Sequence, residues 1–409
     1  MRDRGLYEKI LGLPAPWQVT GVELREEAHE VIVEVELRGS PALSCPECGE
    51  SMTGYDRRRR RWRHLDTCQY KTIIEAAVPR GKCAVHGVRQ IEVPWAEPHA
   101  RFTALFEALA IDWLRETSQL AVARRLGLTW AEVHGIMERA VRRGLARRGR
   151  EVIAYLGVDE KSFQKQHEYV TVVCDLGARR VLDVGDGRGR ASLDQFYEGL
   201  SEEQLTGIEG IAMDMWGPYI SSTQEHVPGS EHKIVFDKFH IVAHLKKAVD
   251  DVRKAEHRQL RAVGDQTLTR TKYLWLKGRQ RFDRGVWVAF AALRNSNLRT
   301  ARAWAIVELF SRFWDYVSPT WARKFFARWY AWAIRSRLEP VKKVARMLKA
   351  HLPNVLTYVS HRITNAATEG INAKIQWIKA TGRGFTNRQN FRTAILFHCG
   401  SLDLYPHNV

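Results

Sequence analysis

No stretch of this chain stays apolar long enough to cross a membrane, and the opening residues MRDRGLYEKILGLP lack the uninterrupted apolar core of a secretion signal. Cysteine is scarce, six in 409 residues, which is too few for a disulfide framework and suits metal ligation or small core positions instead. The glycine-rich stretch DVGDGRGR lacks the lysine and the serine or threonine of a nucleotide-binding phosphate loop, so it reads as a strand-to-helix turn. Acidic residues are outnumbered, 46 against 64 lysines and arginines, and the net charge of +18 favours a polyanionic partner held through counterion release. A length of 409 residues suits several domains, each with its own core.

The positive charge is clustered. Arg57, Arg58, Arg59, Arg60 and Arg61 form an unbroken run ahead of Trp62, and a second group comprises Arg139, Arg142, Arg143, Arg147, Arg148 and Arg150. The run lies between two short knuckles, CPECG and CAVHG, in which donors three residues apart precede a glycine. Thiolate and imidazole in that arrangement suit tetrahedral zinc in a closed structural site, with Cys45, Cys48, Cys83 and His86 as ligands. Cys68 and His64 are spare donors, and Cys174 and Cys399 read as core residues. WQVTGVEL and HEVIVEVEL alternate as a half-buried antiparallel pair, and YKTIIEAAVP reads as a strand. Residues 1–98 are therefore expected to form a β-rich zinc-binding module.

After Pro98 the apolar period becomes helical. SQLAVARRLGLTWAEVHGIMERAVRRG follows helix-turn-helix logic: Ala121, Val122 and Leu126 face the core, Gly127 turns, and Thr129 with Glu132 makes a capping box. Trp130, Ala131, Glu132 and His134 then become the candidates to reach a DNA groove, with Arg142 and Arg143 nearby for phosphates. This module is expected over 99–150; plain helical packing is the alternative.

From residue 151 the pattern is that of an α/β core: a strand ending at Asp159, the strands EYVTVVCDL and RRVLDVG, a helix, a strand ending at Asp214, a short helix, and the strand KIVFD. An antiparallel meander followed by parallel strands is the ribonuclease-H-like layout, and it puts Asp159 and Asp214 on neighbouring strand ends, the usual ligand edge of such a sheet. A lone aspartate after a strand is more often a cap or turn residue. Glu369, in the polar helix TNAATEGINAKIQWIKA, supplies a third carboxylate, and oxygen ligands of this kind suit two Mg2+ or Mn2+ ions acting on a phosphodiester. Asp183 and Asp186 are weaker ligand candidates, and Asp237 and His240 either cap the next helix or support the site.

The core is expected over 151–243 and 356–409, interrupted by an all-helical insertion at 244–355. That insertion is rich in tryptophan: Trp275, Trp287, Trp304, Trp314, Trp321, Trp329 and Trp332, most of them expected in the core. On the returning helix, Asn365, Glu369 and Asn372 share one face at four- and three-residue spacing. Asn365 and Asn372 are candidate phosphate donors, with Lys374 and Lys379 adding charge.

The order CPECG, CAVHG, helix-turn-helix, GVDEKSF, AMDMWGPY, VFDKFHI and TNAATEGINAKIQWIKATGRGFTNRQNFRTAIL, which runs through essentially the whole chain, resembles the bacterial insertion-sequence transposases of the ISL3 family. His86 stands where the family's second knuckle would hold a cysteine. The resemblance implies a DDE transposase with Asp159, Asp214 and Glu369 as its acids. It implies action on the inverted repeats at the ends of its own element: metal-dependent cleavage, then attack of the freed 3′ hydroxyl on target DNA. Such a protein would work as a homodimer or larger assembly on double-stranded DNA, in the cytoplasm and on the nucleoid when bound. A non-catalytic DNA-binding regulator, or a nuclease of the same fold that cuts without joining, remain the alternatives.

Overall fold

Strand pairing organises the chain into two sheets. The computed structural model describes residues 3–39, 41–164, 168–364, 368–382 and 384–406, divided between one unit of residues 1–149 with 401–409 and a second of residues 150–400.

The first unit holds α1 (Asp3–Leu11), β1 (Trp17–Arg25), β2 (Glu30–Leu37), β3 (Leu43–Ser44), β4 (Ser51–Arg63), β5 (Lys71–Cys83), β6 (Gly87–Gln90), α2 (Ala104–Glu116), α3 (Gln119–Leu126) and α4 (Trp130–Arg147). The strands make one sheet in the order β1-β2-β5-β4-β3, with β6 also on β5. The two alternating segments pair antiparallel as β1 and β2, while β2 and β5 run parallel and bury Val31, Val33, Ile74, Ala76 and Val78 with Trp17, Trp62 and Trp95. The arginine run lies on β4. One consequence of the parallel register is that Glu34 and Glu75 stand directly opposite each other, a repulsive pair. Arg59 reaches both, at 3.2 and 3.3 Å, and Arg61 bridges Glu30 and Glu75 at 3.4 and 3.0 Å. Arg60 covers Trp62 and donates to the Ala100 carbonyl, while Arg57 and Arg58 are exposed. Among the described residues β3 pairs only with Ser51 and Met52, so most of the outer edge of β4 is a charged edge of the kind that discourages further strand addition.

The helix-turn-helix forms as its local signals dictate. Ser118 caps α3, Gly127 turns in the left-handed region at φ 63°, and Thr129 and Glu132 exchange both bonds of the capping box at the start of α4. Val122, Ala123 and Leu126 are buried, so Ala123 rather than the half-buried Ala121 completes the core face. The last residues correct a boundary: Ser401 onward belongs with this unit, not with the α/β core as expected for 356–409. The reason is a buried arginine. Arg143 donates to Glu97 at 2.5 Å, to Glu107 at 3.1 Å and to the Leu404 carbonyl, while Arg147 pairs with Asp403 at 2.8 Å and Tyr405 donates to Asp112 at 2.6 Å. Leu404 is itself buried.

The second unit holds β7 (Tyr155–Gln164), β8 (Glu168–Asp175), β9 (Arg180–Asp186), α5 (Ala191–Glu198), α6 (Glu202–Gly207), β10 (Gly210–Met213), α7 (Gly217–His226), β11 (Ile234–Phe236) and α8 (Lys238–Ala262). There follow α9 (Lys272–Leu276), α10 (Arg284–Ala289), α11 (Ala291–Arg294), α12 (Arg299–Phe310), α13 (Pro319–Arg335), α14 (Glu339–Ala350), α15 (Leu352–His361), α16 (Glu369–Thr381) and α17 (Arg388–Cys399). Its sheet has the order β11-β10-β7-β8-β9, antiparallel from β7 to β9 and parallel from β7 to β11. Strand β7 does not end at Asp159 as expected. It continues to Gln164, because β8 still pairs with it beyond the point where β10 has stopped. Gly185 of β9 lies against α5, where an added Cβ would meet the Ser192 carbonyl oxygen at 2.6 Å, and Gly187 makes the strand-to-helix turn of DVGDGRGR in the left-handed region at φ 79°. The apolar side of the sheet and the helices α8 to α15 share one core, in which Trp275, Trp304, Trp314 and Trp329 are buried and Trp287 is partly covered. Trp321 and Trp332 are exposed.

His64 offers a stability test of the first unit. It is buried, its Nδ1 lies 2.9 Å from the Thr103 hydroxyl, and burial, aided by the charge of Arg63, holds its pKa down to about 4. A histidine kept neutral in the fold but free to charge when unfolded contributes its full stability above the unfolded value of about 6.5 and loses it as pH falls toward 4. Denaturant melts of the full chain at pH 7 and 4.5 should therefore show a loss for the wild type that exceeds that of His64→Asn by roughly 2–3 kcal/mol. Equal losses would refute this.

Candidate active site and metal centre

The register of the parallel strands assembles the acidic edge. Gly210, Ile211 and Ala212 of β10 pair with Tyr155, Leu156 and Gly157 of β7, and continuing that register sets Asp214 opposite Asp159. Paired residues of neighbouring strands project to the same side about 4.8 Å apart. Met213 pairs with Phe236 of β11, so the same count carries Asp237, buried, opposite Asp214. Three aspartates thus lie side by side across three successive strands of one sheet.

Asp159 and Asp214 are held alike. Oδ1 of each accepts the backbone N–H of the following residue, Glu160 at 2.8 Å and Met215 at 2.7 Å, which fixes the carboxylate and leaves Oδ2 as the variable oxygen. Oδ2 of Asp159 accepts from Lys161 Nζ at 2.5 Å and from Asn372 Nδ2 at 3.2 Å. Lys161 reaches it because residues two apart on a strand share a face. Oδ2 of Asp214 lies 3.5 Å from Nδ1 of His240, whose Nε2 is 3.9 Å from Asp237. His240 therefore sits between Asp214 and Asp237. Burial first, with the charges of Asp214 and Asp159 adding and Arg188 opposing, raises the Glu160 carboxyl above the usual carboxylate range.

Helix α16 is fastened to β7 at two points, Asn372 to Asp159 and Lys379 to the Ser162 carbonyl at 2.7 Å. Glu369 is the first residue of that helix, exposed and one turn before Asn372 on the same face. Asn365 lies outside the described residues. The amide of Asn372 and the ammonium of Lys379, expected on phosphates, are directed at β7 instead, while Lys374 is exposed. Asp183 pairs with Arg392 at 2.7 Å on the other side of the meander, and Asp186 is exposed at the end of β9. Asp159, Asp214 and Glu369 present oxygen donors only, a set that suits hard divalent cations.

Among the described residues, one group of donors has metal-binding geometry: Cys45, Cys48, Cys83 and His86, whose ligand atoms lie within 4.8 Å of one another. Cys45 Sγ is 3.6 Å and Cys83 Sγ 3.7 Å from His86 Nδ1, and Cys48 Sγ is 3.7 Å from Cys83 Sγ. A tetrahedron with zinc–sulfur bonds of about 2.3 Å has edges of about 3.8 Å, so the four fit zinc. Backbone N–H groups of His86 and Val85 bring the Cys83 thiol down to about 6, toward the thiolate a metal needs. Neither spare donor joins them: His64 is bonded to Thr103 and Cys68 is exposed. Cys174 and Cys399 are buried, as expected of core cysteines.

On the helix-turn-helix, Trp130 is exposed, but its ring stacks on His134 at 4.8 Å and buries it. His134 is thereby withdrawn from the groove-reading face expected of it. Arg143 is likewise corrected from a phosphate contact to the buried partner of Glu97 and Glu107, whereas Arg142 remains exposed.

Atomic emission analysis should find one zinc per wild-type chain and almost none in Cys83→Ser, with loss of structure confined to the β3–β6 region by hydrogen exchange. Stoichiometric zinc in that variant would exclude the four-ligand set.

Three family models match successive parts of the chain. A zinc-finger of the transposases of IS204, IS1001, IS1096 and IS1165 covers residues 41–86, the helix-turn-helix domain of transposase family ISL3 covers 91–141, and the ISL3 transposase domain covers 156–395. Relatives match over nearly their full length. The transposase for insertion sequence element IS1001 of Bordetella parapertussis is 29% identical over 96% of this chain and 97% of its own. The transposase for insertion sequence element IS1557 of Mycobacterium tuberculosis is 26% identical over 95% and 94%. With zinc knuckle, helix-turn-helix and an acid-edged sheet in that order, and with the last of these models spanning more than half of it, this chain belongs to the ISL3 family of transposases.

Proposed function

We propose that this protein is a DDE transposase that binds the terminal inverted repeats of its insertion sequence, cleaves DNA at their tips and joins the freed 3′ hydroxyls to target DNA. The observation that carries this reading is the strand register that sets Asp214 opposite Asp159, with Glu369 on a helix fastened to the same strand. The sheet, with its antiparallel meander followed by two parallel strands, is read as a ribonuclease-H-like core, and the helical segment of 244–355 as an insertion within it.

Two Mg2+ or Mn2+ ions held by Asp159, Asp214 and Glu369 would supply a water nucleophile near neutral pH and charge neutralisation at the attacking and leaving oxygens. The chain's own part is to place these carboxylates before DNA arrives. Backbone N–H groups of Glu160 and Met215 pin one oxygen of each aspartate, and Asn372 with Lys161 orients the other oxygen of Asp159. Preorganisation of this kind lowers the barrier because no reorganisation is needed at the moment of reaction. The family's zinc finger and helix-turn-helix are the natural end-binding parts, with Arg57, Arg58, Arg142 and Trp130 as exposed contacts and Lys374 exposed on the helix that begins at Glu369. Arg59 and Arg61, although ion-paired, remain largely exposed, and such pairs are weak enough to yield to a phosphate. Joining two ends calls for at least a dimer on DNA.

Purified protein with Mg2+ and DNA carrying the ends that flank its gene should give cuts at the repeat tips and joints to target DNA, both mapped by sequencing. Asp214→Asn should reduce both on the order of 10³-fold while leaving end binding intact. Specific binding without cuts would point to a regulator, and cuts without joints to a nuclease.

A further inference from the structure

An aromatic platform lies beside the acidic edge and has no part in the scheme above. Trp216 follows Asp214 by two residues and is tied to it by its own backbone N–H, which donates to the Asp214 carbonyl at 2.7 Å. Its indole N–H donates to the Arg188 carbonyl at 2.9 Å, and the Arg188 guanidinium lies 5.1 Å from the Trp216 ring centroid and 4.5 Å from that of Tyr169. Arg188 is also 3.8 Å from Glu160, next to Asp159. The ring is thus fixed in orientation by its neighbours, yet 36% of Trp216 stays exposed. The side chain of Arg188 is 40% exposed. Across Asp214, Phe239 is 69% exposed and packs edge-on against His240.

An indole held in a fixed orientation beside a polar site, with part of its ring left open to solvent, is a ready contact for a flat ligand. A row of carboxylates selects what can lie there: a group brought in with cations and carrying its own negative charge, with a flat face for the indole and an anion for Arg188. A nucleotide has both. In a duplex the phosphodiester is accessible, but the faces of the bases are stacked on one another, so a tryptophan can meet one only if the base has left the stack.

We propose that Trp216, backed by Arg188 and Tyr169, is a stacking platform for one unpaired base next to the phosphodiester at the Asp159–Asp214 edge. The inference rests on reading that edge as the cleavage site. It makes local opening of the duplex tip part of substrate recognition, with selectivity for ends that open readily.

The test uses the full chain with flanking-end DNA carrying 5-iododeoxyuridine at single positions on either side of the cut. Irradiation without added Mg2+ should crosslink one position to Trp216, identified by mass spectrometry. With Mg2+, Trp216→Ala should slow cleavage of fully paired ends about tenfold to a hundredfold. Trp216→Phe should restore most of the rate, and an end mismatched at the crosslinking position should restore it for Trp216→Ala. Equal defects on paired and mismatched ends, or no crosslink to Trp216 at any position, would overturn the platform. Crosslinking to Trp216 by a wild-type protein that never cuts would instead remove the cleavage reading and leave the base contact standing.

Discussion

The parallel pairing of β10 on β7 is the constraint from which the rest of the second unit follows. Its register admits no slip of one residue, because that would turn Leu156 and Val158 of β7 out of the core and rotate Asp159 to the opposite face. The same hydrophobic side that locks the strands together therefore aligns the carboxylates on the polar edge. Placement of Asp214 against Asp159 is a by-product of burying aliphatic side chains, and it needs no attraction between the acids, which repel each other. Their repulsion is instead relieved by neighbours: backbone N–H groups, Lys161, Asn372 and His240.

Helices α8 to α15 reinforce that sheet from the other side. Their buried tryptophans and phenylalanines share one core with the strands, so the helical segment is a structural continuation of the sheet and not an appendage. In the first unit the same logic works through charge. The parallel run of β2 and β5 forces Glu34 against Glu75, and Arg59 and Arg61 resolve the conflict while keeping much of their length in solvent. An arginine run that looks in the sequence like pure surface charge is partly the glue of its own sheet.

Features encoded within one or two turns are legible in the sequence itself. Thr129 with Glu132, Gly127, the paired knuckles at Cys45 and Cys83, and strands leading into aspartate are each written in adjacent residues, and each is present. Features that depend on a distant partner are not legible in this way. The overrun of β7 to Gln164 is invisible in EKSFQ, which has no apolar alternation and is a strand only because β8 lies beside it. His134 reads as a groove contact until the Trp130 ring closes over it, and Arg143 until the tail arrives. Nor does spacing disclose that Asn372 serves the first acid, since that contact spans 213 residues. The tryptophans show the middle ground: abundance announces a core, but nothing local separates Trp329, buried, from Trp332 three residues on, which is exposed.

The tail that meets Arg143 ties the helix-turn-helix to the order of synthesis. The chain leaves the first unit at Gly149, builds the whole second unit and returns at Ser401 to supply the Leu404 carbonyl, the Asp403 carboxylate and the Tyr405 hydroxyl to α2 and α4. On the ribosome, α4 therefore emerges with its Arg143 guanidinium short of one acceptor, and it stays so until the residue 261 positions further on has been made. A nascent or prematurely terminated chain carries an unfinished helix-turn-helix, so completion of this module follows completion of the acidic edge rather than preceding it. Loss of Leu404 and its neighbours would damage a helix-turn-helix whose buried arginine lies 261 residues away in sequence.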